Sequence, residues 1–178
     1  MASAVTKLAT ASPTSGYTTT FSAISGSYDD LVLIGSAKNN STGSSIRTYN
    51  TMYFRLSGDS GSNYSWADWG AENASLAGNG VLFPLTTRFD VDGCASSYST
   101  NVGWGHFYLY FAGYKDTGST KSIQVRSGYT QDASTAATVS IGAANWDNTA
   151  AITSIEIGPL YGTFVAGTNI TLYGISNS

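Results

Sequence analysis

From about residue 17 onward, short apolar runs recur along the chain, parted by clusters of Gly, Asn, Asp and Ser. That punctuation predicts strands over 17–24, 30–37, 46–57, 80–91, 103–112, 120–129, 135–142, 151–158 and 168–175. Several runs alternate with period two, the signature of a strand with one wet face. Met52, Phe54 and Leu56 fall opposite Tyr53 and Arg55; Ile123 and Val125 oppose Ser122, Gln124 and Arg126; Ile155 and Ile157 oppose Ser154 and Glu156. Ile170 and Leu172 are expected to face inward, with Tyr173 and Ile175 outward or toward a neighbour.

Two runs depart from this. Residues 31–35, Leu-Val-Leu-Ile-Gly, are apolar on both faces. In 106–111, Phe107, Leu109 and Phe111 share one side, and His106, Tyr108 and Tyr110 the other. A second aromatic face needs a cover, from a segment such as 58–79 or from another subunit, and tyrosine suits an interface. Residues 58–79, with Trp66 and Trp69, are the one stretch with possible helical character. Residues 1–16 are rich in Ala, Ser and Thr and read as an arm or linker. No amphipathic helices separate the strands, which disfavours a parallel sheet. The expectation is an arm over 1–16 and one all-β domain over 17–178: an antiparallel β-sandwich of jelly-roll type with about nine strands.

Composition agrees. Only 11% of the 178 residues are charged, less than half the usual share, and Ser and Thr supply 48 positions. Two Glu and four Lys are too few for a helical protein, whereas Thr, Tyr, Val and Ile suit strands. The net charge of −3, without a basic run, gives nucleic-acid binding no electrostatic footprint. The N-terminal text lacks a secretory pattern, and no apolar stretch reaches the ~20 residues that span a bilayer. The single cysteine, Cys94, can form no internal disulfide.

Catalytic devices find little material. A nucleophile–histidine pair would have to use His106, the only histidine, and no nucleophile elbow is present. One His and one Cys make no zinc site. Asp29 with Asp30, Asp90 with Asp92, Asp132 and Asp147 read as turn formers, with a weak calcium site as the sharper alternative. Glu156 with Asp68 or Glu72 is the pair a glycosidase would need, although Glu156 occupies an outward strand position. Sugar binding without cleavage is better supplied: Tyr64, Trp66 and Trp69 lie close together beside polar residues and offer rings to stack on a pyranose. Trp104 and Trp146 read instead as residues closing the ends of the sandwich. No catalytic residue, metal ligand set or cofactor is assigned.

The last third carries recognisable text. Ile152 to Ile157, the turn Phe164 to Thr168 and the strand Ile170 to Ile175 resemble the C-terminal end of bacteriophage virion proteins of the tail-fibre, head-fibre and capsid-decoration (cement) kinds. Residues 31–40 and the later Tyr53 to Ser65 also resemble that group. The resemblance implies a virion protein, assembled in the host cytoplasm, that docks on the major capsid protein or another virion protein. It implies a homotrimer, with His106, Tyr108, Tyr110 and Tyr173 as candidate contacts. A decoration protein is the first expectation, since the chain lacks a fibre shaft. A receptor-binding or carbohydrate-binding tail-fibre module, with Tyr64, Trp66 and Trp69 against a surface glycan, is the second. Neither involves nucleic acid or a membrane.

Overall fold

The computed structural model describes residues 4–42, 50–72, 81–97, 103–132 and 136–177. Thirteen strands form among them: β1 (Ala4–Ala11), β2 (Thr19–Phe21), β3 (Asp30–Asn39), β4 (Thr51–Leu56), β5 (Tyr64–Glu72), β6 (Val81–Thr86), β7 (Phe89–Asp92), β8 (Cys94–Ser96), β9 (Gly105–Phe111), β10 (Lys121–Asp132), β11 (Ala136–Trp146), β12 (Ile155–Pro159) and β13 (Asn169–Ser176). The larger sheet has nine strands, in the order β1-β13-β3-β9-β10-β11-β5-β6, with β8 beside β3. The smaller has four, β2-β12-β4-β7. The pairings are antiparallel apart from the short parallel contact of β8 with β3. The two sheets pack as a β-sandwich.

Alternation decides which side chains meet between the layers. The large sheet sends in Leu31 and Leu33, Phe107, Leu109 and Phe111, Ile123 and Val125, and Ile170 and Leu172. The small sheet answers with Met52, Phe54 and Leu56, Phe89 and Val91, and Ile155 and Ile157. Phe54 stacks on Phe89 at 5.2 Å and meets Phe107 of the opposite sheet edge-on at 6.0 Å. Each such side chain contributes about 1.5–3 kcal/mol by leaving water. Gly35 is required where β3 passes Phe107, because a Cβ there would overlap the ring.

Each of the nine expected strands coincides with an observed one. The run 80–91 divides: β6 stays in the large sheet while β7 crosses to the small one. Residues 1–3, 46–49, 73–80 and 135 of the expected segments lie outside the described residues. Three elements depart from the expectation, and the count is thirteen rather than about nine. Residues 4–11 are an edge strand on β13 rather than a free arm. Its sequence hides this because an edge strand has little to bury, and most of β1 is exposed. The expected helical character around Trp66 and Trp69 gives way to β5, paired with β11 from Trp146↔Tyr64 to Thr138↔Glu72. Tertiary pairing there overrides the Ala-rich local preference. The third is β8, three residues long and buried throughout. Since β5 is a member of the large sheet, its residues do not lie across the tyrosine face as a cover.

Candidate assembly surface

The outward side chains of the large sheet line up in transverse rows, because antiparallel partners on one face stand about 4.5–5.5 Å apart. The middle row runs Thr10, Thr171, Ile34, Tyr108, Arg126, Ile141, Trp69 across seven strands. One flanking row runs Tyr173, Val32, Tyr110, Gln124, Ala143, Ala67, and the other Asn169, Ser36, His106, Gly128, Val139, Ala71. The four expected contact residues therefore share one face. His106 is exposed, Tyr108, Tyr110 and Tyr173 are half-buried, and Val32 is covered between Tyr173 and Tyr110.

The sequence reading missed the other half of this face. Strand β11 is turned inside out: Thr138 and Ser140 are buried, while Val139 and Ile141 are 54% and 55% exposed. Trp69, the cross-strand partner of Ile141, is 50% exposed, and Ala67, Ala71 and Ala143 surround the pair. Residues 138–141 alternate, but alternation alone does not say which side is wet. One hydrogen bond ties the hydroxyl side inward. Ser140 Oγ donates to Asp68 Oδ2 at 3.1 Å, and Ser127 stands opposite Ser140 on β10. Ser127 Oγ and Thr138 Oγ1 are buried without a hydrogen-bond partner. A half-polar interior under β11, facing an apolar exterior, is the reverse of a solvent-facing strand.

The tyrosine side is rigidly held. Tyr110 donates to Asp30 Oδ2 at 2.7 Å, and that bond is the first cause of a hydroxyl pKa pushed up to about 12. Asp30 also accepts from the Gly113 N–H at 2.8 Å and from Asn177 Nδ2 at 2.8 Å. Burial works against its ionisation, but the three donors prevail and its carboxyl lies below the ordinary value. Asp29 accepts from the Asn177 N–H at 2.6 Å, which binds residues 29–30 to the end of β13.

Tyr64, Trp66 and Trp69 do not form a platform. Tyr64 is 1% exposed, stacked on Trp146 at 6.4 Å, with its hydroxyl engaged by the Leu56 N–H at 2.9 Å. Trp66 is partly buried against the core, and Trp69 projects outward. Three residues apart on a strand, the two indoles stand on opposite faces. Trp146 is buried, and its Nε1 donates to Asp59 Oδ2 at 2.7 Å. Glu156 is held by Arg55 at 3.3 Å on the small sheet, whereas Asp68 belongs to the large one. Asp90 pairs with Arg88 at 3.0 Å, and Asp92 accepts from Thr51 Oγ1 at 2.9 Å. Among the described residues no group of three His, Cys, Asp or Glu could hold a metal ion. Cys94 is sealed inside, and burial pushes its thiol up to about 12. A cleft of about 560 Å³ opens between the inner side of β1 and residues 20–28, lined by Thr6, Leu8, Phe21, Ile24 and Tyr28 among others.

The chain matches no family model, no curated protein and no solved structure. Among the described residues no helix is long and apolar enough to cross a membrane.

Proposed function

We propose that this chain is a non-enzymatic structural protein of a bacteriophage virion, a jelly-roll-type sandwich that decorates the head shell and self-associates. The observation that carries this reading is the inverted strand β11. It places Val139, Ile141 and Trp69 in water beside a face already bearing His106, Tyr108, Tyr110 and Tyr173. Contiguous exposed apolar surface marks an interaction site, and Trp, Tyr and Arg are the residues that dominate contact energies. The textual resemblance supplies the setting, with the major capsid protein or another virion protein as partner and self-association, for which it implies a homotrimer. A non-catalytic role is supported by the separation of the reactive groups, His106 on the outer face and the Cys94 thiol within.

The test is binding to particles. Purified protein is expected to sediment with phage heads that lack it, and to appear at fixed copy number in gradient-purified virions. Light scattering or native mass spectrometry is expected to return an oligomer rather than a monomer. Protein that neither binds particles nor appears in them overturns the reading. The glycan-binding alternative now rests on Trp69 alone, and saturable binding lost in Trp69→Ala would favour it.

A further inference from the structure

We propose that two copies of this chain pack outer face to outer face, about a two-fold axis that runs along β11 through Ile141. The proposal rests on the self-association reading above and names a two-fold contact in place of the three-fold one that the resemblance implies.

The register makes this face complementary to itself. A two-fold lying in the interface along β11 sets each strand on one side of β11 against the strand on the other side in the partner. In the middle row, Ile141 meets the partner's Ile141, and Arg126 of β10 lies over the partner's Trp69 of β5. In the row containing Val139, that residue meets the partner's Val139, and Gly128 faces the partner's Ala71. In the third row, Ala143 meets the partner's Ala143, and Gln124 faces the partner's Ala67. Aliphatic side chains thus lie along the axis. The one cation of these three rows finds an indole face, an arrangement attractive enough to recur in interfaces. Gly128 and the alanines leave room for the sheets to close to about 10 Å, the ordinary spacing of face-packed sheets.

The competing two-fold, perpendicular to the strands, sets Arg126 against the partner's Arg126 and is repelled. Arg126 is exposed and takes part in none of the ion pairs among the described residues, which use Arg55, Arg88 and Lys115. With the axis on β11, the overlap spans β9, β10, β11, β5 and β6. Five strands about 4.8 Å apart and about nine residues long cover roughly 700 Å² per copy, close to the ~800 Å² per partner of a stable interface.

Cross-linking and mass test this together. Ile141→Cys is expected to be joined between copies by a short bismaleimide, since the residue faces itself across the axis at about the 10 Å sheet spacing, too far for a direct disulfide. Gln124→Cys, also exposed but displaced from the axis, is expected not to be joined. Cys94 is 0% exposed and does not compete. Ile141→Asp is expected to halve the native mass, and Arg126→Ala to weaken association about tenfold, with unchanged circular dichroism in both. An odd copy number, or an even one indifferent to Ile141→Asp, overturns the two-fold contact while leaving the virion reading in place. So does equal cross-linking of Gln124→Cys. A monomer that still binds phage heads removes the contact but keeps the function; one that does not bind removes both.

Discussion

Replacing Asp59 with alanine tests how the open end of the sandwich is closed. The Asp59 carboxylate accepts from Trp146 Nε1 at 2.7 Å, Asn63 Nδ2 at 2.9 Å, the Gly61 N–H at 2.8 Å and Asn148 Nδ2 at 3.5 Å. Of these donors, only Trp146 is buried, at 1% exposure. Asn63, Asn148 and the Gly61 amide turn to water when the carboxylate is removed. The indole N–H does not, and an orphaned buried donor costs about 1–3 kcal/mol. Loss of the Asx turn at Gly61 adds a few tenths, so Asp59→Ala is expected to cost about 2–3 kcal/mol. With a urea slope of about 2 kcal/mol/M, the midpoint falls by about 1–1.5 M. Asp59→Asn keeps one oxygen for the indole and is expected to lose roughly half as much.

The same contacts carry a pH signature. Burial opposes ionisation of Asp59, but the donors from Asn63, Trp146 and Gly61 outweigh it and lower the pKa from 3.8. Its contribution is therefore whole above pH 3.8 and disappears as the pH falls through the folded-state value. Urea titrations of wild type and Asp59→Asn at one protein concentration, at pH 7 and in acid, are expected to converge at low pH. An Asp59→Ala midpoint within 0.2 M of wild type, or a difference unaltered in acid, refutes this account.

Further expectations concern the core and the titratable groups. Gly35→Ala drives a methyl into the Phe107 ring and is expected to cost about 2–3 kcal/mol by thermal or urea unfolding; Phe107→Leu in that background should recover part of it. Burial raises the Tyr64 hydroxyl, and the Asp30 bond raises Tyr110, both from 10.0 to about 12. Both folded values exceed the unfolded ones, so this stabilisation is complete below pH 10 and is lost as the pH climbs toward 12. Stability measured across that range should fall, and less steeply in Tyr110→Phe. The Cys94 thiol, raised by burial from 9.0 to about 12, is expected to ignore a thiol reagent at pH 8 until the protein unfolds; rapid native labelling would contradict its sealed position.

What could be read in the chain beforehand follows a physical rule. Met52, Phe54, Leu56, Ile123, Val125, Ile155 and Ile157 all face inward as their alternation requires, because large side chains leave water wherever a strand permits. The edge strand Ala4–Ala11 was not visible as a strand, since it has little to hide and its pairing depends on β13. Tyr64 looked like a ligand residue beside Trp66 and Trp69, yet its ring completes the core against Trp146. Period two cannot say which phase of an alternating strand is the wet one. That ambiguity left Val139 and Ile141 unrecognised, because the choice is made by Asp68 and Ser140 across the sheet. His106, Tyr108, Tyr110 and Tyr173 were legible as one face because aromatic rings opposite Phe and Leu have only one side left to occupy.

Strand β13 lies between β1 and β3, with Ala4 paired to Ser176 and Asp30 to Ile175. A chain made from its N-terminus thus produces Ala4–Ala11 long before β13, its neighbour in the sheet, exists. The early strand has to wait, unpaired, for nearly the whole domain to be synthesised. Closing so long a loop is slow for entropic reasons, so β1 is expected to dock last in refolding. The bulge at Lys7 to Ala9 and the lysine itself then guard a waiting edge against pairing with the wrong chain.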